Sequence, residues 1–346
     1  MSIFQDFDLG SLDRLLRSYS DRPQPLNFDT QLPVLMKALQ ADELDLLPLP
    51  GHGQTLQRWK TLARVAGCDL ALAKLYEGHT DALAILAECA ASRLAGDGLW
   101  GVWAAEPPDA RAVITHRDGD QVRLTGSKAW CSGAMQINRA LITAWTEDGQ
   151  SQLVAIDLAD ASNRIQVDNW QAVGMGTTAS VEVAFDDSPG IAVGLPGEYL
   201  SRPGFWHGGG GIAACWYGAA EVLAEYLREH CKSRQDPHAN AHLGAVDAAL
   251  YGARAALRDC ASWIDCQPTA DAGIEVRRLR AQVEHAVERV IRHVGRAMGA
   301  VPYCRNSHFA RLSSDLPVYL RQSHAERDLA DLGEQLTELP DGAWQL

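Results

Sequence analysis

The hydrophobic period of this chain changes twice, and those two changes constrain its fold more than any other feature. In the first hundred residues, rich in Leu and Ala and poor in β-branched residues, apolar positions recur every three or four residues. Leu56, Trp59, Leu62, Ala63, Ala66 and Leu70 share one face while Arg58, Lys60 and Arg64 fall elsewhere, which predicts an amphipathic helix. Pro48-Leu49-Pro50-Gly51 breaks the chain ahead of it, and a second helix is expected over 79–95, stopped at Gly96-Asp97-Gly98. Beyond that point short β-prone runs stand between turn signals: 99–104, 112–116, 121–125, 140–145, 152–157, 164–167 and 180–186. The last alternates Val181, Val183 and Phe185 with small or charged residues, as a strand with one wet face does, and Asp118-Gly119 marks a hairpin. Strands this short and this evenly spaced predict an antiparallel barrel or sandwich rather than βαβ units. From about residue 206 long helices return, at 207–231, 240–266, 272–298 and 307–333, divided near Pro237, Pro268 and Pro302. Four such helices predict a bundle. The expected class is α+β, with boundaries near 98 and 190–205.

Composition narrows the partners. The chain has 346 residues, 31 Lys plus Arg and 44 Asp plus Glu, a formal charge of −13. Polyanion binding needs clustered cations, and no basic run exists, so neither nucleic acid nor an anionic membrane surface is expected as a partner. No stretch approaches the roughly 20 uninterrupted apolar residues of a membrane-spanning helix. The acidic N-terminal segment 1–8 has neither a basic nor an apolar region of a secretory signal, so the expected location is the cytoplasm. The eight cysteines (68, 89, 131, 215, 231, 260, 266 and 304) lack C-x-x-C pairs and zinc spacing and read as reduced core thiols; no metal is expected.

Many catalytic signatures are missing. There is no G-x-S-x-G elbow, no P-loop, no H-E-x-x-H, and no strand leading into G-x-G-x-x-G. A di-iron bundle needs Glu-x-x-His on two helices, and His285-Ala286-Val287-Glu288 runs the wrong way without a second copy. Gly208-Gly209-Gly210-Gly211 is expected to open a helix. Two readings of it stand side by side: free N–H groups for an anionic ligand, or close packing of the helix on the β region. His207 precedes the run.

The most informative segment is Leu124-Thr125-Gly126-Ser127-Lys128-Ala129-Trp130-Cys131-Ser132-Gly133-Ala134, expected between strands. It resembles the G-x-K-x-W-I-T/S-N-G/A signature of the acyl-CoA dehydrogenases. Trp103-Ala104-Ala105-Glu106-Pro107 is similar to that family's x-x-T-E-P segment. Gly174 through Asp187 resembles its G-x-R-x-S/T … F-x-D/E-V strand, and Asp315 through His324 its R-D-x-R stretch. The matches keep the family's order across the chain. The resemblance implies a helical N-terminal domain (1–98), a middle antiparallel β-barrel (99–195) and a C-terminal four-helix bundle (196–346), assembled as a homodimer or homotetramer. It implies FAD in a cleft between β domain and bundle, with Trp130 flanking the ring, Ser132 reaching it by its hydroxyl, backbone at Val102, Ala104 and Ala105 nearby, and Arg234 on the pyrophosphate side.

The likeness departs from the family where chemistry is concerned. Oxidation of an acyl thioester needs a base for the α-proton, and the two family positions for a glutamate fall here on Ser323, next to His324, and near Gly208. Neither is acidic. Glu106, beside Pro107, is expected to bind backbone or solvent. The acyl-CoA loop is shortened to Ala105-Glu106-Pro107-Pro108-Asp109-Ala110, without the Thr and the Gly-Ser pair. The function expected is therefore flavin-dependent oxidation of an acyl-CoA or related small substrate. His324 stands first and His207 second as catalytic residues, with a solvated helix residue as the other reading of His324. The alternatives are a two-component flavin monooxygenase of the same fold and a homologue that has lost its chemistry.

Overall fold

The computed structural model describes residues 8–20, 31–167, 170–178 and 180–345. Most of the N-terminal segment read for a secretory signal lies outside them. The chain divides into two compact units that are discontinuous in sequence: Met1–Leu49 with Ala71–Phe205, and Pro50–Leu70 with Trp206–Leu346. Among the described residues no helix is long and apolar enough to cross a membrane.

The first unit joins α1 (Leu9–Ser20), α2 (Leu32–Ala41) and most of α4 (Leu70–Glu88) to a seven-stranded sheet and a one-turn helix, α5 (Glu198–Ser201). The strands are β1 (Trp100–Trp103), β2 (Ala112–Asp118), β3 (Gln121–Cys131), β4 (Arg139–Trp145), β5 (Ser151–Asp157), β6 (Asn163–Gln166) and β7 (Val181–Val193). Pairing runs β4–β2–β3–β7–β5 and returns from β5 to β4, so the hydrogen bonds close a ring, with β1 attached to β4 and β6 to β7. Closure removes the exposed strand edges that would otherwise template aggregation. The expectation of a purely antiparallel sheet needs correcting: β1 runs parallel to β4, and a single bridge, Val113 to Trp145, pairs β2 with β4 in parallel. Asp118 pairs with Gln121, so the turn residues of the predicted hairpin are Gly119 and Asp120, with Gly119 at φ +59°.

Every position from Ala140 to Ala144 in β4 and from Gln152 to Ile156 in β5 is buried, because both faces of these strands are covered. One face packs Leu141, Leu153 and Ala155 with Trp100 against Ala82, Ile85 and Leu86 of α4. A polar tie fixes the helices to the sheet. The buried His79 ring accepts from the Trp100 N–H at Nδ1 (3.1 Å) and meets Asp45 Oδ2 at Nε2 (2.9 Å), which assigns the ring hydrogen to Nε2. The helix expected over 79–95 starts nine residues earlier and ends at Glu88. The break between it and the preceding helix falls at Asp69, whose extended backbone the apolar period alone does not reveal.

The second unit holds α3 (Thr55–Cys68), α6 (Gly204–Ser233, from Trp206 on), α7 (Pro237–Cys266), α8 (Gly273–Met298), α9 (Ala300–Arg305), α10 (Ser307–Tyr319) and α11 (Glu326–Thr337). α6 and α7 divide where Pro237 was expected to part them; Pro237 itself opens α7, where its missing N–H costs nothing, behind an Asp236 side chain that accepts from His238 N at 2.8 Å. The helix expected over 307–333 is two: after Tyr319 the chain passes through a short 3₁₀ turn, an extended Ser323 and a left-handed Ala325 (φ +49°) before α11. The half-buried His308 secures α10, its Nε2 at 2.9 Å from the Cys68 carbonyl at the end of α3 and its Nδ1 at 3.0 Å from the Tyr226 hydroxyl of α6. Burial lowers its pKa, consistent with a neutral ring in this role.

The glycine run does not open a helix. α6 starts at Gly204, so the N–H groups from Gly208 onward have acceptors one turn back and offer no anion site. The close-packing reading holds with a changed partner. A Cβ on Gly210 would lie 2.4 Å from the Trp59 ring, and one on Gly218 2.0 Å from the Ala63 carbonyl oxygen, both on α3. Gly218→Ala is therefore expected to destabilise by about 1–3 kcal/mol in urea unfolding although alanine is the better helix former. Gly244→Ala in α7, where a Cβ meets nothing within 4 Å, should instead stabilise by about 0.5–1 kcal/mol.

Candidate functional site

The segment singled out in the sequence does not lie between strands; as far as Cys131 it is strand β3, held between β2 and β7. Each motif residue has a local reason. Gly126 adopts φ +107°, and a Cβ there would lie 2.1 Å from the Arg111 carbonyl oxygen, so a side chain is excluded twice over. Lys128 is wholly buried. Its ammonium donates to Glu106 Oε1 (2.7 Å) and to Thr143 Oγ1 (2.9 Å). Glu106 also accepts from the Thr143 hydroxyl and, at Oε2, from the Trp145 indole N–H at 2.7 Å, while the Arg111 guanidinium lies 4.1 Å from the centre of the Trp145 ring. Glu106 thus binds neither backbone nor solvent alone, as the sequence suggested, but the one ammonium buried beneath it. Burial pushes its carboxyl up, yet the bonds from Lys128, Thr143 and Trp145 outweigh this and leave it below the ordinary glutamate range. Burial draws Lys128 down and the Glu106 carboxylate resists.

Two residues further on, the register changes. Lys128 pairs with Val183 and Cys131 with Val181, three steps on β3 against two on β7, so one extra residue bulges out. Trp130 sits in this bulge at φ +57°, and its side chain emerges from the strand, 57% exposed. Cys131 turns inward; its Sγ lies 3.2 Å from the Lys128 carbonyl, and burial raises its pKa steeply, which removes it as a nucleophile. Ser132 is half-buried, its hydroxyl 2.9 Å from that of Ser180. The indole of Trp103, at the end of β1, donates to the Ser132 carbonyl (3.2 Å); Val102 precedes it in β1 and Ala104 and Ala105 follow it.

The remaining residues named from the sequence belong to the second unit. His207 is 3% exposed, in the first turns of α6 and close to Gly51. Arg234 is exposed in the link between α6 and α7. His324 lies in the link between α10 and α11, its Nδ1 3.2 Å from Asp328 Oδ1 and its backbone N–H on Asp328 Oδ2. Here the structure joins two positions far apart in sequence. Arg280 of α8, stacked 4.7 Å from the Trp216 ring centre, donates to the Gly209 carbonyl (2.9 Å) and to the Gln322 carbonyl (3.0 Å). It thereby ties together the two stretches on which the family's base positions fall. One turn on, Glu284 accepts from the Ser323 hydroxyl at 2.6 Å and from Arg321 at 3.2 Å. A carboxylate is thus present beside Ser323, delivered from α8. Nothing in the spacing of Arg280 and Glu284 sets them apart from other charged helix residues. Of the cysteines, 131, 215 and 260 are buried, while 266 and 304 are exposed; all eight are free thiols, so the reading of core residues holds for only some.

No protein-family model matches the sequence, and no curated protein does. Solved structures do. Methanesulfinate monooxygenase MsuC from Pseudomonas fluorescens is similar with a TM-score of 0.77 at 19% identity over 96% of this chain and 98% of that one. TdsC from a Paenibacillus species, solved with FMN and indole, gives 0.74 at 19% over 96% and 98%. Butyryl-CoA dehydrogenase from Megasphaera elsdenii gives 0.71 at 16% over 80% of each chain. The chain therefore has the acyl-CoA dehydrogenase-type fold, the one expected from its motifs. At these identities the likeness is one of fold.

The Lys128–Glu106 pair yields an asymmetric prediction. Glu106→Gln strands a buried ammonium and should cost about 3–5 kcal/mol, whereas Lys128→Met leaves a partly exposed carboxylate still bonded to Thr143 and Trp145 and should cost about 1–2 kcal/mol in urea unfolding. Because the folded pKa of Glu106 is depressed, its stabilisation is complete above the ordinary glutamate range and is lost as pH falls through the lowered value. The acid limb of the stability curve should flatten in Glu106→Gln.

Proposed function

We propose that this chain is a flavin-dependent oxidoreductase acting on an acyl-type or related small substrate, with the isoalloxazine ring against Trp130 and Ser132. The observation that carries this is the bulge in β3. A tryptophan held in the left-handed region at a cost of about 1–2 kcal/mol, with its indole turned out of the strand, is strain kept for a surface that something flat and apolar covers. Neighbouring polar groups support the same reading for the ring's polar edge: a half-buried Ser132 hydroxyl and the strand-end backbone at Val102, Ala104 and Ala105. When bound, flavin supplies a two-electron acceptor or, reduced, the means of activating oxygen. The protein's part is to seat the ring with Trp130, fix its edge with Ser132, and hold both rigidly through the buried Lys128–Glu106 pair. FAD is the form the sequence resemblance implies; the FMN bound by TdsC makes FMN the alternative, with Arg234 on the pyrophosphate side only for FAD.

The proton chemistry divides two readings. For an acyl-CoA dehydrogenase, the family's base positions are Ser323 and the stretch near Gly208, and the nearby Glu284 carboxylate is engaged by Ser323 and Arg321. For a two-component monooxygenase, His324 is the candidate for moving a proton: its Nδ1 faces Asp328 and its Nε2 is left to take or give one. This second reading is favoured by that histidine–carboxylate pair and by near-complete coverage of a monooxygenase chain. His207, buried in α6, stands behind His324 as a catalytic residue. Eight free thiols support a reducing compartment such as the cytoplasm, and the exposed Tyr251, Val301 and Tyr303 support a homodimer or homotetramer.

Titrating the purified protein with FMN or FAD and following the flavin spectrum tests the reading. Trp130→Gly should weaken flavin binding at least about tenfold while stabilising the flavin-free protein by about 1 kcal/mol, since glycine takes the left-handed φ without strain. A protein that binds neither flavin refutes the proposal. Bleaching of bound flavin by an acyl-CoA without oxygen identifies the dehydrogenase, and oxygen uptake that requires reduced flavin identifies the monooxygenase.

A further inference from the structure

Two histidines that the flavin reading does not use meet where α7 begins and α8 ends. His242 Nδ1 lies 2.8 Å from His293 Nδ1, with the ring centres 5.1 Å apart. Both rings are half-buried, and neither makes another hydrogen bond among the described residues. A contact this short between two nitrogens needs one donor and one acceptor, so one of the rings must keep a bare Nδ1. The facing nitrogens can share one hydrogen but not carry two. The charges around them have one sign. Arg289, Arg292 and Arg296 fall with His293 on one stripe of α8, at positions i, i+3, i+7 and i+4, and none of the three has an acidic partner among the described residues. α7 adds His238 one turn before His242, and the carboxylate at the start of that helix, Asp236, is engaged by His238 and His230. α9, packed on α8, brings Arg305 and Tyr303, whose hydroxyl would lie 2.7 Å from a Cβ on Gly295. Partial burial, the facing His242 and the three guanidiniums hold the pKa of His293 below the ordinary histidine value.

We propose that the contact between His242 and His293 is a proton-controlled latch between α7 and α8, closed while at most one ring is charged and open when both are. The two helices are joined at their other end, through residues 267–272, so the latch secures the end that the chain leaves free. A neutral ring or a single imidazolium can donate Nδ1–H across the gap. A second proton turns the acceptor into another donor and sets two imidazoliums face to face beside three guanidiniums. In the open state the rings titrate in the ordinary histidine range, so that state binds more protons than the closed one. The latch therefore holds fully above that range and is lost as pH falls below it. It needs no flavin and does not depend on the flavin reading.

Amide hydrogen exchange of the full chain at about pH 7 and about pH 5, corrected for intrinsic rates and read by mass spectrometry, tests this. Segments 257–264 and 276–283, near the joined end of the two helices, serve as the internal reference. In the wild type, protection over 241–247 and 289–298 should fall about tenfold relative to that reference on acidification, the scale of one hydrogen bond lost between like charges. His242→Gln removes the second charge and leaves an amide oxygen that accepts from His293 in either of its states, so the relative protection should stay within about threefold. His242→Lys fixes a charge opposite His293, and its protection near neutrality should match that of the acidified wild type. Nuclear magnetic resonance of the wild-type imidazoles should show two separate steps, the second well below the ordinary histidine range. Relative protection that does not change with pH in the wild type, or that falls as steeply in His242→Gln with native circular dichroism, overturns the proposal. So does a titration in which both rings take up their protons together in the ordinary range. These wild-type and glutamine measurements decide the question even where His242→Lys fails to fold.

Discussion

An ammonium group with no solvent exposure is the constraint around which the Trp130 edge of the first unit is arranged. Lys128 can be charged inside the sheet only if its cost of desolvation is offset, and Glu106, Thr143 and Trp145 together do that. Meeting the demand fixes three pieces of chain at once: the segment after β1, the middle of β3 and the end of β4. With β3 pinned at Lys128, the extra residue before Cys131 has nowhere to go but outward, and Trp130 leaves the strand in a conformation that its side chain would otherwise avoid.

The same economy of means recurs with neutral groups. The hydroxyl of half-buried Ser132 is backed by those of Ser180 and Thr178, the last of which donates to the Met175 carbonyl. In the second unit, Arg280 uses two backbone carbonyls, those of Gly209 and Gln322, to fasten the start of α6 to the link between α10 and α11. In each case rigid surroundings rather than the displayed residue decide what chemistry is offered. This is the condition for preorganised binding.

How much of this was legible in the sequence differs from element to element. The change of hydrophobic period located the strand region and the long helices, and the Asp118-Gly119 pair located a hairpin, because these signals are local. The motif around Trp130 pointed to a stretch of chain that the structure shows to be strand β3 with a bulge at its end. Its Lys and the Glu of the Glu106-Pro107 pair were both in view, yet their union was not, since twenty-two residues of sequence separate partners that meet only once β1, β3 and β4 are aligned. The expected helix over 307–333 failed for a related reason. Apolar spacing continues through the break, while the turn at Ser323 and Ala325 depends on Glu284 and Asp328, which accept hydrogen bonds there.

By itself the sequence determined the class of fold and the order of its parts, and it singled out the aromatic and hydroxyl pair at the end of β3, because period, turn residues and short motifs are properties of neighbours along the chain. Only the tertiary structure decided that the sheet mixes parallel with antiparallel pairs, that the glycine run serves packing on α3, and that a carboxylate reaches Ser323 from α8. It alone decided, too, that His242 and His293 face each other across α7 and α8. These outcomes depend on groups far apart in sequence competing for the same few donors, acceptors and buried volumes, and that competition is resolved only when the chain is folded.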